Sequence, residues 1–117
     1  MEEKPIRIIT EKITLPELKQ IAEERFGDLV KAVVDLEKEI MAVGAEMHFD
    51  EEQLLLGQSS KQENLWGINL YPDLLADQFI EFDSMINIRP RQNNRSRGVE
   101  NEETRKKIIT VVQKLVQ

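Results

Sequence analysis

The sequence predicts a single α+β domain over residues 1–117, an antiparallel β-sheet packed by an N-terminal and a C-terminal helix. Two amphipathic helical stretches lie near the ends of the chain, at 15–26 and 101–116. Two apolar, alternating stretches lie between them, at 65–71 and 79–89. A chain of 117 residues has room for one core and is too short for two ordinary domains.

Ile6 to Ile9 reads as a short edge strand. Thr14-Leu-Pro-Glu17 is a helix start, in which Thr14 caps, Glu17 reaches back and Pro16 is tolerated in the first turn. Leu15, Leu18, Ile21 and Ala22 form its apolar stripe, and Gly27 is placed to end it.

Residues 28–48 admit two readings. Leu29, Val33, Leu36, Ile40 and Val43 keep helical spacing between Asp28 and Gly44. The rival reading is a hairpin of two β-branched strands, Val30–Leu36 and Ile40–His48, turning at Glu37-Lys-Glu39, with Met41, Val43, Ala45 and Met47 on one side of the second. That turn has neither Gly nor Asn, so periodicity alone leans to the helix.

Asp50 to Gly57 suggests one or two helical turns, and 57–64 is a polar loop. In the strand 65–71, Trp66, Ile68 and Leu70 share the core face, opposite Gly67, Asn69 and Tyr71. In 79–89, Ile80, Phe82, Ser84, Ile86 and Ile88 point one way and Glu81, Asp83, Asn87 and Arg89 the other. Asn101 caps the last helix, whose buried stripe is Ile108, Val112 and Leu115. Glu102 with Lys106 and Glu103 with Lys107 are i,i+4 pairs on its exposed side.

Leu65-Trp-Gly-Ile-Asn-Leu-Tyr-Pro72, Ser84-Met-Ile-Asn-Ile-Arg-Pro90, Asn94-Arg-Ser96, Lys31-Ala-Val-Val-Asp35 and Glu46-Met-His-Phe-Asp50 give the chain a resemblance. From about Ile8 onward it resembles a family of small prokaryotic proteins catalogued only as a domain of unknown function. Some members carry Gly where this chain has Glu39, which tips residues 28–48 to the hairpin, because Gly suits a turn and weakens a helix interior. The resemblance implies no activity, ligand or catalytic residue.

Composition narrows the function. The net charge is −6, which argues against a general nucleic-acid coat, since phosphate neutralisation supplies most non-specific affinity. Without cysteine there is no thiol nucleophile or zinc-thiolate site, and a reducing cytoplasm fits. The first ten residues lack the apolar run of a signal peptide, and no stretch is long enough for a membrane helix. Ser59, Ser60 and Ser96 have no partnered base, and no cofactor fingerprint is present.

The chemistry concentrates in the segment 89–98. Arg89, Arg91, Arg95 and Arg97, with Asn94 and Ser96 as neutral donors, have the guanidinium forks that grip phosphate or carboxylate. Their alternative is structural, pairing with nearby Glu and Asp or capping helix ends. Asn69 and Asn87 stand beside them on the polar strand face, where Asn needs a hydrogen-bonding reason to be. His48 with Asp50, Glu51 or Glu52 is too sparse for a metal site and reads as a surface or strand-end histidine.

The expectation is a non-enzymatic cytoplasmic binding or regulatory module, without cofactor or metal, that holds an anionic ligand on Asn69, Asn87, Arg89, Arg91, Asn94, Arg95, Ser96 and Arg97. The alternative is a nucleic-acid-acting protein such as a toxin-like endoribonuclease, whose element order needs residues 28–43 helical. Exposed strand edges are usually protected or paired, and a chain this small has little core to spare, so a homodimer is expected; the two helices are expected to cover only one sheet face.

Overall fold

The computed structural model of the protein describes residues 5–117, with the backbone alone for Ala76. The first four residues, part of the stretch read for a leader, lie outside the described residues. Within them, five strands form one antiparallel sheet in the order β1-β3-β2-β4-β5. The strands are β1 (Arg7–Ile9), β2 (Val30–Asp35), β3 (Ile40–Val43), β4 (Leu65–Leu70) and β5 (Ile80–Glu81). The helices are α1 (Leu15–Arg25), α2 (His48–Gly57) and α3 (Glu102–Leu115). The chain is α+β, as the sequence predicts, and among the described residues no helix is long and apolar enough to cross a membrane.

α1 starts on the expected capping box. The Glu17 amide donates to Thr14 Oγ1 at 3.2 Å, and the Thr14 amide donates to Glu17 Oε1 at 3.1 Å. Leu18 and Ala22 bury its inner face. Asn101 caps α3 by accepting from the Thr104 amide at 2.9 Å. Ile108, Val111, Val112 and Leu115 go into the core, each worth roughly 1.5–3 kcal/mol for full burial. The exposed face departs in detail, for Lys106 pairs with Glu103 at i,i+3. Ile13 donates its amide to Leu115 O at 2.7 Å and accepts from Gln117 at 3.0 Å, which ties the two helices to one side of the sheet.

Residues 28–48 hold the hairpin β2–β3. Asp35, 1% exposed, supplies what the turn lacks in Gly or Asn. Its Oδ1 accepts from the amides of Glu37 (2.9 Å) and Lys38 (3.0 Å), an Asx turn, and its Oδ2 accepts from Ser60 Oγ at 2.6 Å. Glu39 closes the turn at φ 56°.

Two expectations need correction. The stretch 79–89 is a strand only at Ile80–Glu81, and then becomes the 3-10 turns Met85–Asn87 and Pro90–Gln92. Ser84 Oγ caps the first turn by accepting from the Ile86 amide. The Asn87 side chain replaces the missing strand: Oδ1 accepts from the Gly67 amide at 2.8 Å and Nδ2 donates to Gly67 O at 2.9 Å. Gly67 is required there, since a Cβ would sit 2.6 Å from Ser84 Cβ.

The second correction concerns the covering of the sheet. α1 and α3 pack over Ala32, Val34, Met41, Val43, Trp66, Ile68 and Leu70. α2 covers the other face, with Leu55 packed among Val33, Ala42 and Leu65. The face expected to stay uncovered is therefore roofed within one chain.

Candidate ligand-binding cleft

The structure separates the arginine-loop residues. Asn94 and Asn87 are buried hubs. Asn94 Nδ2 donates to Asn87 O (2.7 Å), Gly98 O (2.8 Å) and Ser96 O (3.2 Å), while its Oδ1 accepts from the Glu100 amide at 2.8 Å. Asn87 Nδ2 also reaches Arg97 O at 3.0 Å. The Arg89 guanidinium stacks 4.2 Å from the Trp66 ring centroid and donates to the carbonyls of Gln62 and Leu65. Trp66 itself lies in the core, as expected.

The remaining loop already holds a carboxylate. The amides of Arg95 and Ser96 both donate to Glu100 Oε2 at 2.8 Å. The Arg95 amide first, then Ser96, keep the Glu100 carboxyl below its ordinary range. The Arg91 and Arg95 guanidinium groups are exposed and form no ion pair among the described residues. Arg97 turns away, and its Nε donates to Asp83 Oδ1 at 2.6 Å.

That turn brings Arg97 to a cleft of about 180 Å³ on the α2 side of the sheet. Lys31, Asn69 and Glu81 stand opposite one another across β2, β4 and β5, and Lys31 and Asn69 form the floor. Asn69 Nδ2 donates to Glu81 Oε1 at 2.8 Å, and Tyr71 donates to the same oxygen at 3.0 Å. Asn69 is only 7% exposed, yet among the described residues no donor reaches its Oδ1 with hydrogen-bond geometry, though the His48 ring stands near it. Lys31 is half-buried, lies 5.1 Å from the Phe26 ring centroid and makes no ion pair among the described residues.

The wall is the start of α2. Met47 occupies the N-cap position and no side chain caps the helix, where Ser, Thr, Asp or Asn is favoured. His48 is buried, against the surface placement expected for it. Its Nε2 lies 2.8 Å from Ile68 O, so that nitrogen carries the proton and donates. Burial pushes its pKa below the ordinary value, which leaves the ring neutral at neutral pH. Around the mouth stand Met47, Phe49 and Met85, which are 57%, 52% and 65% exposed.

Of the residues expected to bind, the cleft collects Asn69 and Arg97. Sequence reasoning passed over Lys31, Met47, Phe49 and Met85. The signal was a helix starting on Met-His-Phe with no capping residue, a local rule broken without local gain. A second, apolar groove of about 590 Å³ runs beside α3, lined by Leu15, Phe79, Ile80, Val112 and Val116. No unpartnered buried polar atom lies in it among the described residues.

For chemistry the cleft offers two cations, one carboxylate (Asp83), a neutral imidazole and an apolar collar. Ser60 spends its hydroxyl on Asp35. Among the described residues no group of three or more His, Cys, Asp or Glu could hold a metal. Comparisons with curated proteins and with solved structures return no match. A family model described as "Protein of unknown function (DUF5674)" matches residues 7–115, and the chain belongs to that family.

Proposed function

We propose that the protein is a non-enzymatic binding module whose ligand seats in the cleft between α2 and β4. The observation that carries this reading is the cleft's mouth. Three large apolar side chains, exposed by half or more, line the same cleft as a half-buried lysine that forms no ion pair among the described residues. Apolar side chains gathered around a polar centre mark interaction sites more than they serve folding. The anionic ligand expected from the sequence is retained, with Lys31 and Arg97 as its cations. Titrating the labelled protein with small probes (phenol, acetamide, acetate) and following amide NMR signals tests this. The largest shifts are expected at residues 31, 47–49, 69 and 83–86. Largest shifts along the α3 groove instead would remove the proposal.

A second reading has its own observation. The Arg95 and Ser96 amides hold Glu100, so the loop has anion-binding geometry occupied from within. An outside phosphate would compete with Glu100. Glu100→Gln should then let phosphate shift the 95–96 amides at low salt, an effect weaker or absent in the parent protein. If phosphate leaves the variant unmoved, the loop is structural. The endoribonuclease alternative needs residues 28–43 helical, and they form the hairpin instead.

A further inference from the structure

We infer that the cleft receives an acidic side chain of a partner protein, presented next to an apolar one; this rests on the binding-module reading. Size is the first argument. Pockets that enclose small molecules usually measure about 300–1,000 Å³. A cleft of about 180 Å³ is better matched to one side chain, delivered by a partner that covers the collar.

Charge is the second argument. In a chain of net charge −6, the cleft lining gathers Lys31 and Arg97 with Asp83, while the nearby Glu81 carboxylate is taken up by Asn69 and Tyr71. Arg97 is already committed to Asp83, while Lys31 lies against the Phe26 ring and, among the described residues, has no carboxylate at ion-pair distance. The start of α2 at the same wall has no side-chain cap, and the potential of its free amides is shared with Asp50 and Glu51 in its first turn. An incoming carboxylate gives Lys31 the counter-ion it lacks. A nucleic acid is disfavoured, because a run of phosphates would meet Glu81 and the surplus acids around one small basic spot.

The collar supplies the third. Met47 and Met85 are flexible and polarisable, suited to packing against varied apolar side chains, and Phe49 gives them a rigid neighbour. The Asn69 Oδ1 at the floor is a polar group that no donor among the described residues reaches with hydrogen-bond geometry, as expected of a site incomplete without its ligand.

Four probes test this on the full chain by amide NMR titration: acetyl-Phe-Glu-amide, acetyl-Phe-Gln-amide, acetyl-Ala-Glu-amide and inorganic phosphate. At low salt the Phe-Glu peptide is expected to bind about fivefold more tightly than either other peptide, with shifts centred on residues 31, 47–49 and 83–86. Its advantage over Phe-Gln should vanish in Lys31→Gln, shrink in Arg97→Gln, and shrink as salt rises. Both variants are first checked for an intact folded spectrum. Equal binding of Phe-Glu and Phe-Gln at the cleft would overturn the acidic partner while leaving the binding module standing. Ala-Glu or phosphate binding as tightly as Phe-Glu would overturn the apolar half. Shifts elsewhere for every probe would end both readings. Concentration-dependent shifts at residues 47–49 and 85 without any probe would assign the collar to a second copy and overturn the separate partner.

Discussion

On one side of β2, Ala32 and Val34 meet the aliphatic stripes of α1 and α3. On the other side, Lys31, Val33 and Asp35 meet α2 and a set of buried polar groups. The first face is held by area removed from water, which tolerates exchange among similar shapes. The second is held by hydrogen bonds that leave costly orphans when one partner is lost. Asn87, Asn94 and Asp35 are each nearly inaccessible and each bond two or more groups. The cleft opens on this second face, whose stability rests on a few directed contacts.

The largest expected effect tests whether one amide equals a core leucine. Asn87→Ala strands the amide and carbonyl of Gly67, while Arg97 O loses one of its two donors and keeps the Ser84 amide at 2.9 Å. It should cost about 3–5 kcal/mol in urea unfolding. Leu115→Ala, on the aliphatic face, should cost about 3 kcal/mol. An Asn87→Ala loss below 1 kcal/mol would mean that water or relaxation repairs the gap, and the contrast between the faces would collapse.

Gly67→Ala comes next. Its Cβ would meet Ser84 Cβ and Oγ at 2.6 Å and Ile86 Cγ1 at 3.1 Å, so the turn over β4 must lift. A loss of about 2–3 kcal/mol is expected, with amide shifts concentrated at residues 84–87.

The same contrast governs how much the sequence discloses. Capping at Thr14 and Asn101 and the stripes of α1 and α3 are local patterns, and the structure follows them almost residue by residue. The stretch 79–89 looked like a strand because its apolar residues alternate. The pairing that would have extended it is made instead by the Asn87 side chain, twenty residues from Gly67. No periodicity encodes such a bond. The arginine loop was legible as donor-rich, but the hydrogen bonds that turn Asn87 and Asn94 into buried hubs come from tertiary contacts. Lys31 was hidden by its strand, since a lysine between apolar neighbours reads as an ordinary solvent-facing position.

Solution pH offers a gentler probe of the polar face. Glu51 is fully buried; its Oε2 accepts from the Ala45 amide at 3.0 Å and its Oε1 has no partner. Burial raises its pKa well above the ordinary 4.5. Its contribution is therefore complete below about 4.5 and is lost as pH rises through the folded-state value. His48 works the other way. Its folded-state pKa is depressed, so its contribution is present above about 6.5 and is lost as pH falls through the folded value. Glu51→Gln should thus stabilise the protein by on the order of 1 kcal/mol at about pH 8, with the gain shrinking toward acid. Chemical unfolding across pH measures it, and a gain independent of pH would show that Glu51 does not titrate on folding.

The smallest effect lies in the β2–β3 turn, where the two faces share a backbone. Glu39 sits at φ 56°, in the left-handed region that costs a residue with a Cβ about 1–2 kcal/mol. Glycine would remove that cost while adding freedom to the unfolded chain, worth up to about 1 kcal/mol in the opposite direction. Glu39→Gly would also remove the exposed Lys114–Glu39 ion pair at 3.0 Å, worth about 0–1 kcal/mol. Taken at mid-range these leave little over, and the net change should be a gain of about 0.5 kcal/mol. Glu39→Ala provides the control, because it loses the ion pair and keeps the strained backbone, and should destabilise slightly. Both variants lose the ion pair, so if glycine proves worse than alanine in thermal unfolding, the freedom it adds to the unfolded chain outweighs the relief at φ 56°, and Glu39 carries little strain.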